Sequence, residues 1–141
     1  MPLRKAVAEK FKKDNGIEYK PNQIVISNGA KHSLVNAMNA ILNPGDEVII
    51  PAPFWVSYPE MVKMADGTPV IIYTTEESGF KFTIDQLEAA LTSKTKALIL
   101  NSPSNPTGAV YTRDEIVKIA DFCVEHNIIV ISDEIYEKLI Y

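Results

Sequence analysis

Residues 97–131 decide the fold class, and they read ALILNSPSNPTGAVYTRDEIVKIADFCVEHNIIVI. The segment begins and ends with short apolar runs, Ala97–Leu100 and Ile128–Ile131, which predict two buried strands. Between the two runs, TRDE at residues 112–115 is a capping box, and the apolar spacing after it predicts a helix toward Glu125. Because both strands are continuously apolar, we expect both of their faces to be covered in a parallel sheet.

The same alternation of strand and helix extends toward the beginning of the chain. Further strands are predicted at Ile24–Ile26, Val48–Ile50 and Val70–Tyr73. Helices are predicted from the apolar positions of residues 3–11, 34–42, 56–65 and 83–91. Gly16 is expected to end the first helix, and a capping box at residues 83–86 is expected to begin the last one. A turn is predicted at residues 43–46. The sequence therefore predicts an α/β fold with a doubly wound, mostly parallel sheet, in one domain.

The composition argues against several classes of protein. The 141 residues are 46% hydrophobic and 23% charged, as in an ordinary globular domain. A net charge of −4 argues against binding to nucleic acid or to an anionic membrane, and no apolar stretch reaches the roughly 18 residues of a membrane span. A single cysteine, Cys123, in an apolar helical pattern indicates a buried thiol and a reducing, cytoplasmic location. His32 and His126 lack further ligands at metal spacing, so no metal site is predicted.

Polar or aromatic residues follow four of the predicted strands, and this clustering is the main functional signal. In chain order the motifs are SNGAK (residues 27–31), PFWVSY (53–58), NSPSNPTG (101–108) and SDEIY (132–136). Open α/β sheets bind their ligands at the carboxyl ends of the strands. We therefore expect Trp55, Asn105, Asp133 and Tyr136 to converge around one concavity at that edge of the sheet.

Each motif has a structural as well as a chemical interpretation. Small residues around Gly29 form either a plain strand-to-helix turn or a phosphate site at a helix N-terminus. In this position the Lys31 side chain is more readily solvated than part of an imine. Trp55 can fill the core or stack on a flat heteroaromatic ligand. Asn105, in a rigid proline-rich loop, belongs to a turn or donates to a ligand oxygen. Asp133 caps a helix or pairs with a cation such as a protonated ring nitrogen.

Together and in this order, the four motifs resemble the pyridoxal-phosphate-dependent aminotransferases of fold type I (classes I and II), and they look most like the bacterial aspartate aminotransferase branch. The resemblance covers essentially the whole chain. It implies an enzyme, a homodimer with pyridoxal 5'-phosphate as cofactor, that transfers an amino group between an amino acid, such as aspartate, and a 2-oxo acid.

The resemblance also assigns a role to each motif. The residues that it places at the cofactor are Gly29, Ala30, Lys31, Trp55, Asn105, Asp133, Ile135 and Tyr136, of which Trp55 and Asn105 also contact the substrate. The first three bind the phosphate through their backbone. Trp55 and Ile135 pack on the two faces of the pyridine ring, and Asp133 pairs with its protonated nitrogen. Asn105 and Tyr136 hydrogen-bond the phenolate oxygen.

The family pattern also contains residues that have no match in this sequence. Its Schiff-base lysine lies downstream of SDEIY, and Lys138 is too close to that motif to match, so no residue here is assigned as catalytic. Downstream arginines that bind the phosphate and the substrate carboxylate have no match either. We therefore expect residues 1–141 to be the first part of the large domain, truncated before the lysine and inactive alone.

Two alternatives to this interpretation stay open. Another fold type I activity, such as a carbon–sulfur β-lyase or a cyclopropane-forming synthase, would share the same cofactor-binding motifs. A non-catalytic α/β binding or assembly module would need no cofactor. The resemblance further implies that strand Ile24–Ile26 does not pair with strand Ile128–Ile131 in the same molecule.

Overall fold

The computed structural model describes residues 2–140, which form two compact units, one ending at Ala37 and the other beginning at Met38. The helices are α1 (Pro2–Asn15), α2 (Ala30–Ile41), α3 (Ser57–Met64), α4 (Ile84–Ala90) and α5 (Arg113–Glu125), with a 3₁₀ turn at Pro21–Gln23. The strands are β1 (Glu47–Ala52), β2 (Thr68–Tyr73), β3 (Thr95–Asn101) and β4 (Ile129–Asp133). No helix within residues 2–140 combines the length and the apolar character that crossing a membrane requires.

The four strands form one parallel sheet in the order β2-β1-β3-β4. Helix α3 connects β1 to β2, α4 connects β2 to β3, and α5 connects β3 to β4. Parallel neighbours need such crossover connections because a tight hairpin would reverse the direction of the second strand. The predicted parallel α/β architecture is therefore confirmed.

One apolar cluster of the second unit lies between the sheet and helices α4 and α5. Apolar side chains in the middle of β1 and β3 are completely buried, among them Ile49 and Leu98. They belong to one cluster with Leu87 of α4 and with Phe122 and Cys123 of α5. The predicted burial of Cys123 is confirmed, and that burial raises the pKa of its thiol.

Helices α4 and α5 begin at the two capping boxes that the sequence predicts. The Thr112 hydroxyl accepts a hydrogen bond from the Glu115 N–H at 3.3 Å, and the Glu115 carboxylate accepts one from the Thr112 N–H at 2.7 Å. Thr83 and Gln86 make the same reciprocal pair at the start of α4. Glu115 also forms an ion pair with Lys81 at 2.6 Å, and this contact, together with the Thr112 bonds, holds the pKa of the Glu115 carboxyl below its usual range.

Two expectations about the strands are wrong. Residues Ile24–Ile26 are not in a strand, because the Ile24 N–H bonds locally to the Pro21 carbonyl at 3.4 Å and closes the 3₁₀ turn, while Val25 is 72% exposed. The sheet thus takes none of its four strands from this segment. The second error concerns β4, which pairs only with β3 among the described strands. Ile129 and Val130 are 40% and 38% exposed, so β4 is not covered on both faces as β1 and β3 are.

Candidate functional site

The order of strands in the sheet reverses between β1 and β3. From β1 the chain moves to β2 on one side, and it then crosses to β3 and β4 on the other side. Such a reversal leaves a crevice outside the carboxyl ends of the two central strands, where open α/β sheets bind ligands. The motifs that follow β1 and β3, residues 53–58 and 101–108, begin at this crevice.

The carboxylate of Asp133, at the end of β4, is held by two neutral donors. The Tyr58 hydroxyl donates to Oδ2 at 2.7 Å, and the Ile135 N–H donates to Oδ1 at 3.2 Å. Each carboxylate oxygen therefore has one protein donor and keeps acceptor capacity for a ligand. Asp133 is half-buried, and these two hydrogen bonds fix the orientation of its carboxylate group.

Tyr58 connects Asp133 to the only tryptophan of the chain. Its side chain is 2% exposed, and its ring meets that of Trp55 edge-to-face with centroids 5.5 Å apart. Burial raises the pKa of the Tyr58 phenol well above its usual range, and the hydrogen bond and charge of Asp133 and the nearby Tyr136 raise it further. Tyr58 therefore stays protonated and donates its hydrogen to Asp133.

The loop after β3 is attached to the end of β4. Asn101 lies opposite Asp133 in the parallel register, and its side-chain amide donates to the Asp133 carbonyl at 2.9 Å. The side-chain oxygen Oδ1 of Asn101 in turn accepts a hydrogen bond from the backbone N–H of Asn105 at 2.7 Å. This bond uses the backbone of Asn105 and not its side-chain amide. The Asn105–Pro106 peptide bond is cis.

The structure brings together the predicted site residues of the second unit. Tyr58 contacts both the Trp55 ring and the Asp133 carboxylate, and it lies close enough to Tyr136 for that residue to affect its pKa. The Asp133 carboxylate also bonds to the Ile135 N–H. Asn101 joins the Asp133 backbone carbonyl to the Asn105 backbone N–H. The Ile135 side chain is 64% exposed. The expected convergence of these residues at one edge of the sheet thus has a geometric basis, while their roles toward a ligand stay predictions.

The remaining predicted residues, Gly29, Ala30 and Lys31, lie in the first unit at the start of α2. Gly29 has a φ of +86°, in the left-handed region that favours glycine, and no atom lies within 4 Å of the position that a Cβ would take. All three residues are exposed. Just before them, the Ser27 hydroxyl is buried and has no hydrogen-bond partner within residues 2–140.

Sequence reasoning assigned no role to Tyr58 or Asn101, although both hold Asp133. Each had a detectable signal. Tyr58 lies three residues after Trp55, which places both at the entry to α3, and their rings pack together. Asn101 is the last residue of β3, and parallel strands that end together bring their last residues opposite one another. No group of three His, Cys, Asp or Glu side chains suited to a metal ion occurs within residues 2–140.

The fold and the polar groups at this edge of the sheet define a parallel α/β protein with a candidate ligand site at the carboxyl ends of its strands. The chain belongs to the aminotransferase class I and II family, whose model matches residues 2–141. The family expected from the four sequence motifs is therefore confirmed.

Individual relatives match over nearly the whole chain. The chain is 60% identical over 139 residues to the aspartate aminotransferase of Bacillus sp. (strain YM-2) and 55% identical over 139 residues to that of Bacillus subtilis (strain 168). These alignments cover 99% of the chain but 36% and 35% of the relatives, so the chain spans about a third of their length. The crystal structure of the aromatic aminotransferase from Pyrococcus horikoshii OT3 superposes with a TM-score of 0.96 at 51% identity, covering 99% of this chain and 38% of that one.

Proposed function

We propose that the chain is the cofactor-binding part of the large domain of an aminotransferase that transfers an amino group between an amino acid and a 2-oxo acid. The observation that carries this proposal is the Asp133 carboxylate at the carboxyl end of β4, held by the Tyr58 hydroxyl and the Ile135 N–H. Aspartate is the first candidate donor, because the two Bacillus relatives are named aspartate aminotransferases. An aromatic amino acid is the second candidate, from the name of the Pyrococcus relative.

Pyridoxal 5'-phosphate fits the groups that each unit offers. In the second unit, Asp133 has acceptor capacity for a protonated ring nitrogen, and Asn105 and Tyr136 carry side-chain donors for a phenolate oxygen. In the first unit, the backbone N–H groups that begin α2 suit a phosphate, and the open space at Gly29 allows a close approach. The unpartnered Ser27 hydroxyl is a further donor beside that turn.

The chemistry follows from what the chain's own residues do to such a ligand. The cofactor would supply an electron sink: a protonated pyridine ring held at Asp133 would take up the electron pair left on the substrate Cα when its proton is removed. Asp133 stabilises the positive charge on the ring nitrogen by ion pairing in a half-buried place, where the pairing is stronger than in water. Asn105 and Tyr136 favour the ionised phenolate oxygen by donating hydrogen bonds to it. Trp55 and Ile135 orient the ring by packing on its two faces.

We further propose that the enzyme is a cytoplasmic homodimer. The buried, free thiol of Cys123 supports a reducing compartment, and the motif resemblance supports the dimer. Light scattering of the purified full-length protein that contains this chain measures the oligomeric state directly. A monomer at all concentrations would contradict the dimer.

A single-turnover experiment tests the activity and separates it from the alternatives. The full-length protein is loaded with pyridoxal 5'-phosphate and mixed with L-aspartate, an aromatic amino acid or a thioether amino acid, with D-aspartate as the stereochemical control. We expect one equivalent of 2-oxo acid and of pyridoxamine 5'-phosphate from an L-amino acid and neither from the D-enantiomer.

Other products identify the other classes. Release of a thiol and ammonia with the cofactor unchanged would indicate a β-lyase. A cyclopropane product from an added sulfonium amino acid, whose sulfur leaves as a thioether when the ring closes, would indicate the synthase. No bound cofactor and no product would support the non-catalytic module and overturn the proposal.

A further inference from the structure

We infer that Tyr58 is a positioning residue that holds Asp133 and Trp55 in one arrangement for the pyridine ring of the proposed cofactor. This inference rests on the proposed function, because it concerns the orientation of two groups toward the same cofactor. Tyr58 itself is not assigned a contact with that cofactor. Its effect is transmitted through the Asp133 carboxylate on one side and the Trp55 indole on the other.

The geometry gives the Tyr58 side chain two separate contacts. Its hydroxyl lies 2.7 Å from Asp133 Oδ2, the short distance of a hydrogen bond to a charged acceptor, which is about twice as strong as a neutral one. Its ring meets the Trp55 indole at 89°, the edge-to-face geometry that aromatic pairs prefer. Because Tyr58 is 2% exposed, neither contact is replaced by water while the protein is folded.

The backbone fixes Tyr58 in place before its side chain acts. The residue lies in the first turn of α3, and its N–H donates to the Trp55 carbonyl at 3.0 Å. Its hydroxyl then restricts the rotation of the Asp133 carboxylate, whose remaining donor is the Ile135 N–H at 3.2 Å. Without the hydroxyl, one donor remains and the carboxylate turns more freely about its last torsion angle.

The raised pKa of Tyr58 keeps the donor of this hydrogen bond in place at neutral pH. Burial and the negative charge of Asp133 both disfavour the phenolate, so the hydroxyl keeps its hydrogen there. The bond is therefore present both before and after a ligand binds. Orientation that is fixed in advance lowers the entropy lost on binding, which is how a positioning residue increases affinity.

Two substitutions separate the two contacts of Tyr58. Tyr58→Phe removes the bond to Asp133 and keeps the ring against Trp55, whereas Tyr58→Leu removes both contacts. Tyr111→Phe is the matched control, because it also deletes a partly buried hydroxyl that makes a hydrogen bond, here as acceptor from the Phe82 N–H at 3.3 Å. All three variants are made in the full-length protein that contains this chain.

The first readout is the equilibrium affinity for pyridoxal 5'-phosphate, measured by dialysis. Loss of one hydrogen bond to a charged group is expected to weaken binding about tenfold in Tyr58→Phe, and loss of the ring contact makes Tyr58→Leu weaker still. The pH at which the absorbance of the bound cofactor changes is expected to move by about one pH unit in Tyr58→Phe. Tyr111→Phe should match the wild type in both measurements.

The second readout needs no cofactor. In protein labelled with ¹³C at the tyrosine Cζ, the Tyr58 signal is assigned by its absence in Tyr58→Phe. Its chemical shift at neutral pH depends on the group that accepts the phenol hydrogen, so Asp133→Asn, which replaces the charged acceptor, is expected to move the Tyr58 signal and to leave the Tyr111 signal in place. An unmoved Tyr58 signal would overturn the coupling between Tyr58 and Asp133.

The two readouts distinguish failure of this inference from failure of the proposed function. Wild-type affinity and an unmoved absorbance profile in Tyr58→Phe would overturn the positioning role, even where the enzyme is active. Equal losses in Tyr58→Phe and Tyr111→Phe would also overturn it, because the effect would then be a general consequence of removing a hydroxyl. A wild-type protein that does not bind pyridoxal 5'-phosphate contradicts the proposed function, and the positioning role falls with it.

Discussion

Replacement of Asp133 by alanine is expected to abolish most of the activity at a moderate cost in stability. The variant leaves the Tyr58 hydroxyl, on a side chain that is 2% exposed, without its acceptor at 2.7 Å. An unpaired buried donor costs about 1–3 kcal/mol of unfolding free energy. The Ile135 N–H also loses its acceptor, but that residue is exposed and water replaces the bond, so this loss adds little. Under the proposed function, Asp133 stabilises the charge on the cofactor ring, and its removal is expected to slow turnover by about 10² to 10³.

Two measurements on three variants of the full-length protein check this reasoning. Urea unfolding gives the stability, and steady-state transamination from aspartate to a 2-oxo acid gives the turnover. Asp133→Asn keeps an oxygen acceptor for Tyr58 without the charge, so it should recover much of the stability and little of the rate. Asp121→Ala, an exposed site on α5, is the control for removing one negative charge and should change neither quantity. Near wild-type turnover in Asp133→Ala would refute the assigned role. Equally low turnover in Asp133→Ala and Asp133→Asn, with very different free energies of unfolding, would support it.

Three further variants test the packing and electrostatics of the second unit by urea unfolding. Gly67→Ala should lose about 1–3 kcal/mol, because a Cβ there would lie 3.0 Å from the Leu42 and Val62 side chains; no loss would show that these neighbours move aside. Thr112→Ala should lose about 1 kcal/mol through the missing helix cap, and an unchanged midpoint would contradict the cap. The pKa of Glu115 is held below its ordinary 4.5. The ionised carboxylate therefore stabilises the folded state fully above that pH, and this stabilisation is lost as the pH falls through the lowered pKa. Lys81→Met should therefore flatten the acid side of the stability profile, and an unaltered profile would exclude this ion pair as its source.

Local sequence chemistry predicted the helices well. The capping boxes at Thr83 and Thr112 placed the starts of α4 and α5 correctly, because the bonds that begin a helix join residues three positions apart. The turn at residues 43–46 was also predicted, and Gly45 has there the positive φ, +84°, that a glycine allows. Ile24–Ile26 shows the limit of such reasoning. A β-branched run indicates extended backbone, but a strand also needs a partner, and the pattern carries no information about one.

The site was predicted as a set of residues and not as a network. The sequence points to Asp133 and Trp55 as candidates because polar and aromatic residues directly after apolar strands can be recognised from the sequence alone. The contacts that hold them were not visible, because Tyr58 and Asp133 are 75 positions apart. The register that brings Asn101 opposite Asp133 depends equally on where two strands end relative to one another. Sequence patterns identify such groups, while tertiary structure decides which of them meet.

The parallel sheet also determines when the site can form during folding. Every strand pair is closed by a crossover, so no pair forms as a local hairpin, and each must first overcome the entropy of closing a long loop. β4 is the last of the four strands along the chain, and the bond between Tyr58 and Asp133 closes only once β4 has joined β3. A nascent chain that has already packed β1, β2 and β3 therefore has a hydrophobic core before the Asp133 carboxylate is held in place. Among the described residues, the contacts around Asp133 form only after the other three strands can pair.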